Sequence, residues 1–252
     1  MQHILPVTRN LLVTICYDGN YYHGWQIQQN ALTVQEVFQN ALEKIISQRP
    51  NIKGCSRTDS GVHANYYCIS FQTNHTIPAQ RLRIALNRFL PKSIAVIDCQ
   101  DVELNFHARY SCKSKQYIYK IWNSENRSPF WEGYAYHYRY KIDEELLNKS
   151  SQSFVGKHNF TSFCTIDNRE KGDMTRTIYS ISVTRSGEMV TVTIEGDGFL
   201  YNMVRIIVGT LLRVQQGKIA PDGIGAIINA MDRKFAGPTA PACGLYLNKV
   251  NY

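Results

Sequence analysis

Apolar and polar positions along the chain switch between a period of two and a period near 3.6, so strands and helices should alternate. Residues 9–17, RNLLVTICY, are apolar, rich in β-branched side chains and closed by Asp18-Gly19, which predicts a buried strand. Over 33–47, Val34, Val37, Phe38, Ala41, Leu42 and Ile45 fall on one helical face, and Thr33 with Glu36 reads as a T-x-x-E capping box. Residues 66–72 read as a strand. Pro78 opens a helix over 79–90 with Leu82, Ile84, Leu86 and Leu90 as its contacts, and 93–99 return as a strand.

The second half repeats the rhythm. Residues 115–122 alternate as a strand. In 134–140, YAYHYRY, the tyrosines take one face and Ala135, His137 and Arg139 the other, which predicts a strand with its tyrosines on the core. A helix over 143–154, a hairpin of 178–185 and 188–195 across Ser186-Gly187, a nearly all-apolar helix over 199–215 and a short helix over 222–231 complete the pattern. Strands and helices mixed with hairpins in both halves predict an α+β fold. Two similar split-βαβ halves, 1–105 and 106–252, are expected to form a central antiparallel sheet with helices on one side and a cleft between the halves.

The chain has 252 residues, 44% of them hydrophobic and 19% charged, which suits a globular protein with a real core. No run approaches the length of a membrane span, and MQHILPVTRN lacks a signal peptide's apolar core. The seven cysteines are scattered without a C-x-x-C pair, so neither a disulfide framework nor a zinc ribbon is expected, and a reducing cytoplasm is the simplest setting. A net charge of +8 favours acidic partners, nucleic acid first, and the sixteen tyrosines offer faces on which unpaired bases stack.

The chemistry concentrates in GCSRTDSGVHA, residues 54–64, which crowds Arg57, Thr58, Asp59, Ser60 and His63 into one turn. An isolated D-S-G is usually only a turn whose side chains satisfy its amides. An aspartic protease needs a second such aspartate, and a retaining glycosidase a paired carboxylate; neither is evident in the sequence. Phosphate-loop, H-E-x-x-H and Rossmann glycine motifs are also missing. What remains is one carboxylate beside Arg57 in a basic, tyrosine-rich chain. A second oddity is Arg205, set inside the apolar helix, where it demands a partner. Asn202, Arg205 and Gly209 follow at helical spacing and predict a narrow polar stripe, with Gly209 leaving room beside the guanidinium.

The segment G-x-x-R-T-D-x-G-V-H-A resembles the signature of the TruA family of tRNA pseudouridine synthases. YHGWQIQ (22–28), FHARYSCKSKQYIYKI (106–121), GKHNFTSFC (156–164), GFLYNMVRIIVGTLLRVQQGK (198–218) and AGPTAPACGLYLNKVNY (236–252) resemble further blocks of that family in order. The resemblance implies an isomerase that converts uridine to pseudouridine in the anticodon arm of tRNA, on the 3′ side of the anticodon, as a cytoplasmic homodimer without cofactor or metal. It implies Asp59 as nucleophile, paired with Arg205, and Tyr117 as the tyrosine that stacks on uracil. Arg57 would fill the space left by the flipped base, and Leu245 would pack in the pocket. Thr58 and His63 would complete the substrate-binding turn. Gln116 and ANYYCIS (64–70) depart from the family pattern in places that bear on substrate choice. The same chemistry on ribosomal RNA, or a non-catalytic RNA-binding protein, are the alternatives.

Overall fold

The computed structural model describes residues 8–165 and 172–252. Among them are ten strands and five α-helices in a mixed α/β arrangement, as the alternating periods predict. The chain divides into two compact units, Met1–Lys113 with Leu247–Tyr252, and Ser114–Tyr246.

In the first unit, β1 (Arg9–Tyr17) leads through α1 (Val34–Ile46) and the short β2 (Lys53–Gly54) to β3 (His63–Thr73), then through α2 (Ala79–Phe89) to β4 (Ile94–Val102). Strand β1 lies between β3 and β4 and is antiparallel to both. That central place explains its unbroken run of buried residues from Asn10 to Ile15, since side chains on both faces are covered. Helix α1 buries Val34, Phe38, Ala41, Leu42 and Ile46, with Val37 and Ile45 half-buried at the edge of the stripe.

The capping box does not form. Thr33 makes no side-chain cap, and its hydroxyl is fully buried with no hydrogen-bond partner. The first amides of α1 are satisfied by the preceding turn instead: Val34 N–H donates to the Gly24 carbonyl at 3.2 Å and Gln35 N–H to that of Trp25 at 3.0 Å. Helix α2 buries Leu82 and Leu86 as expected, but Ile84 is 64% exposed, because two residues after Leu82 the helix has turned away from the sheet.

The second unit runs β5 (Ser114–Trp122), β6 (Tyr136–His137), α3 (Glu144–Ser151), β7 (Gly156–Asn159), β8 (Thr175–Ser186), β9 (Met189–Gly196), α4 (Met203–Gln215) and α5 (Ile224–Ala230). The last strand, β10 (Leu245–Asn251), returns the chain to the first unit, where it lies beside β3. Strands β5, β9, β8 and β7 are neighbours in that order, all antiparallel, and β8 and β9 close on a two-residue Gly187-Glu188 turn.

The tyrosine stretch is not the strand its alternation predicts. Only Tyr136 and His137 pair, parallel to β5, while Tyr134 and Ala135 both donate to the Trp131 carbonyl in a turn. Tyr138 is buried, but Tyr140 is 62% exposed, beyond the end of the pairing. The apolar helix also starts later than its pattern suggests. Asn202 sits in the left-handed region at φ 62°, so the backbone cannot be helical before Met203.

Candidate active site

The motif turn of the first unit is fastened from both sides. Upstream, the Tyr67 hydroxyl donates to the Ser56 carbonyl, and the Trp25 and Tyr67 rings lie 4.3 Å apart. Thr58 is buried; its hydroxyl meets the Tyr17 hydroxyl at 2.8 Å, and its carbonyl accepts from Trp25 N–H at 3.1 Å. Downstream, Val62 N–H donates to the Asp59 carbonyl at 3.2 Å and Gly61 N–H to that of Tyr22 at 3.3 Å, closing the turn. Gly24 makes this approach possible. Its φ is +87°, and a Cβ there would fall 2.3 Å from the Thr58 carbonyl oxygen. The backbone around Asp59 is therefore fixed, with Asp59 half-buried and Arg57 exposed beside it. A carboxylate on so constrained a turn loses little freedom when it engages a substrate.

His63 has a structural task. Its ring is buried, and Gly19 N–H donates to Nδ1 at 3.0 Å. An acceptor Nδ1 means the neutral ring with its proton on Nε2. The Asp18 carboxylate lies 3.3 Å from the same nitrogen and forms an ion pair with the ring when the ring is protonated.

Tyr117, Arg205 and Leu245 belong to the second unit. Tyr117 is buried on β5, with the Phe199 ring edge-on at 5.1 Å. Arg205 is half-buried in the first turn of α4. Its Nη1 donates to Asn202 Oδ1 at 2.8 Å, and its Nε to the Ala240 carbonyl at 2.7 Å. Ala240 N–H donates back to the Arg205 carbonyl at 3.1 Å. Asn202 Nδ2 donates to the Thr165 hydroxyl at 3.0 Å, so the left-handed Asn202 spends its side chain orienting the guanidinium instead of capping the helix.

Gly209 does not make room for that guanidinium. A Cβ there would lie 1.7 Å from the Pro238 carbonyl oxygen: the glycine lets the 237–241 loop lie directly on α4. Gly237 N–H donates to the Thr210 hydroxyl at 2.8 Å, and Tyr119 to the Pro241 carbonyl at 2.7 Å, which pin the rest of that loop. Leu245, buried, follows the loop at the start of β10.

The family model described as tRNA pseudouridine synthase matches residues 14–111 and 151–252, which include Asp59, Arg205 and Leu245. The chain belongs to the tRNA pseudouridine synthase family. Within it, the chain is 45% identical to "tRNA pseudouridine synthase A" of Thermoanaerobacter sp. (strain X514) over 97% of its own length and all of the relative's. It is 46% identical to the protein of that name from Acetivibrio thermocellus and 41% to that from Clostridium acetobutylicum, with the same coverage of both chains. Among solved structures, a chain of a Cbf5-Nop10-Gar1 complex aligns with 94% of this chain and 57% of its own, at 9% identity and a TM-score of 0.39, a likeness too weak to carry an argument.

Against that family pattern, the positions around Arg205 are what sequence reading misses. Thr165 and Ala240 carry no chemical signature, and Asn202 is visible only as part of a polar stripe. A non-glycine residue at positive φ has no reliable mark in a single sequence. A polar hollow of 590 Å³ in the second unit lies elsewhere; it is lined by Arg139, Lys141, Glu144, Arg185 and Glu188 among others, and by none of the candidate residues. Its Arg185 is already paired with Glu144 at 2.9 Å. No disulfide forms among the described residues, and burial pushes the Cys68 thiol up to about 11 and the Cys99 thiol to about 12, which leaves both poor nucleophiles. Among the described residues no group of three His, Cys, Asp or Glu could hold a metal ion, and no helix is long and apolar enough to cross a membrane.

Proposed function

We propose that this chain isomerises uridine to pseudouridine in tRNA, in the anticodon arm, with Asp59 as the nucleophile. The observation that carries the proposal is the R-T-D turn, held rigid around a half-buried carboxylate in a chain that matches the family over nearly its whole length.

The target uridine leaves its stack and enters the site, where Arg57 takes the space it vacates. The carboxylate attacks either C1′ of the ribose or C6 of the base, which divides one difficult step into two easier ones. By the first route the N1–C1′ bond breaks as the ester to C1′ forms, the uracil turns, and C5 displaces the carboxylate as the C5–C1′ bond forms. By the second the N1–C1′ bond of the C6 adduct breaks, the uracil turns, the C5–C1′ bond forms and the carboxylate is then eliminated from C6. Asp59 is regenerated either way. The proton on C5 is lost and N1 ends protonated, so the composition is unchanged and no co-reactant is needed. Tyr117 stacks on the uracil and assists loss of the C5 proton. Arg205, oriented by Asn202 and Ala240, supplies the positive charge that keeps the nucleophile ionised. Thr58 and His63 hold the turn, and Leu245 supplies an apolar wall. Family membership also supports a homodimer working in the cytoplasm without metal or cofactor.

The test is direct. The purified protein is incubated with an unmodified tRNA transcript and, separately, with a ribosomal RNA fragment, in the presence of a chelator, and pseudouridine is mapped in both. Conversion in the anticodon arm is the expected result. Conversion of the ribosomal fragment alone retains the chemistry and replaces the substrate, and binding of tRNA without conversion leaves a non-catalytic RNA-binding protein.

A further inference from the structure

The connection from β4 to β5 presents an aromatic and cationic surface to water on a hydrogen-bonded backbone. The segment is tied to the rest of the first unit at Glu103, Leu104, Phe106 and Ala108. Asn10 Nδ2, buried on β1, donates to the carbonyls of Glu103 and Phe106, both at 2.9 Å, and Gln72 Nε2 to that of Leu104 at 2.9 Å. Ala108 N–H donates to the buried Ser70 hydroxyl at 2.9 Å, and Tyr252 Oη donates to the Ala108 carbonyl at 2.8 Å. His107 Nδ1 accepts from the amides of Arg109 and Tyr110, at 3.1 and 3.3 Å.

What this frame presents is Arg109 and Tyr110, both exposed, the tyrosine 78% so. The His107 ring lies 4.4 Å from that of Tyr110, and the Arg109 guanidinium 5.9 Å from it. Among the described residues no carboxylate lies within ion-pair distance of Arg109. Lys53 pairs with Ser70, the residue that anchors Ala108, which sets its charge beside the patch. Burial, then Lys53 and Arg109, lower the His107 pKa. Exposed aromatic rings are normally left to move; here the backbone on both sides is hydrogen-bonded in place. An exposed ring on a hydrogen-bonded backbone, beside an arginine with no carboxylate within ion-pair distance among the described residues, suits a ligand with flat bases and phosphates.

We infer that Arg109 and Tyr110, backed by His107 and Lys53, form a second RNA contact of this enzyme, away from the reacting uridine. The inference rests on the tRNA substrate proposed above. The anchor of the patch is Ser70, seven positions along β3 from His63, and strand geometry puts those two about 23 Å apart. Lying toward the end of β3 opposite His63, the patch takes the RNA backbone that flanks the reacting uridine. Arg109 meets a phosphate, and Tyr110 takes a base or ribose face.

The experiment compares Arg109→Ala and Tyr110→Ala with Arg109→Lys and Tyr110→Phe. It reads the Kd of an unmodified tRNA transcript across a salt series, the steady-state constants and the thermal midpoint. Each alanine variant should raise Kd and KM about tenfold, with the loss falling on KM rather than kcat. For Arg109→Ala, the slope of log affinity against log salt should become shallower by about one phosphate contact, and lysine should restore it. Phenylalanine should restore affinity at position 110, and the thermal midpoints should stay at the parent value. Unchanged Kd and salt slope in both alanine variants, in a parent enzyme that converts uridine, overturn the site and leave the function standing. A parent protein that binds no tRNA overturns both.

Discussion

Gly209→Ala is the substitution on which sequence and structure disagree most sharply. In the interior of a helix, replacing glycine with alanine should stabilise by about 0.5–1 kcal/mol. Here the added Cβ would sit 1.7 Å from the Pro238 carbonyl oxygen, and that neighbour is backbone, with no flexible end to give way. The loop must lift from α4, at an overpacking cost of about 1–3 kcal/mol. The expected net loss is about 1 kcal/mol, or a fall of about 2–4 °C in the thermal midpoint for a chain of this size. The same loop carries Ala240, whose carbonyl and amide both bond Arg205, so lifting it also misplaces the guanidinium. Turnover should then fall by about tenfold or more, the equivalent of about 1.4 kcal/mol in the barrier. Gly225→Ala in α5 is the control, because its added Cβ meets nothing within 4 Å. Calorimetry and single-turnover pseudouridine formation on both variants decide the matter. A Gly209→Ala protein as stable and active as Gly225→Ala refutes the packing argument and the role it gives the loop.

Three further outcomes follow from the same contacts. Thr33→Val replaces a buried hydroxyl that has no partner with a methyl of similar shape, so the thermal midpoint should rise by about 2–4 °C; a fall would show that the hydroxyl does cap α1. Gly24→Ala should cost about 2 kcal/mol or more, from the positive φ and the 2.3 Å approach to the Thr58 carbonyl, and should depress turnover at temperatures where the protein remains folded; wild-type turnover there would detach the 24–25 turn from the motif. Tyr117→Phe keeps the buried ring against Phe199 and should preserve stability and tRNA affinity while slowing turnover, whereas Tyr117→Ala should also lose about 1–3 kcal/mol of binding; equal turnover in wild type and the phenylalanine variant removes the hydroxyl from the mechanism.

Periodicity carried much of the fold because burial obeys it. The central β1 reads as one apolar run, and the α1 stripe appears where Val34, Phe38 and Leu42 put it. It failed where the backbone had other obligations. Alternating tyrosines over 134–140 pair for only two residues, because the preceding chain is turning on Trp131. Thr33 and Glu36 match a capping box, but the carbonyls of Gly24 and Trp25 reach the helix first. Arg205 announced itself as a charge among apolar neighbours. Its anchors, Thr165 and Ala240, could not, because their part is played by position and, for Ala240, by backbone atoms alone. Gly209 was visible as a small residue on the polar stripe, yet the atom that fills its space belongs to Pro238, far along the chain.

The central claim is that Asp59 performs the chemistry on tRNA. Its most direct measurement is single-turnover pseudouridine formation by wild type and Asp59→Asn, with enzyme in excess over an unmodified tRNA transcript, product counted by mass spectrometry and Kd measured alongside. Asparagine preserves the size of the side chain and the fixed turn around it but cannot act as the carboxylate nucleophile. Near-complete conversion by wild type, with none by Asp59→Asn at equal or tighter tRNA binding, is the predicted result. Pseudouridine formed by Asp59→Asn at the wild-type rate would contradict it.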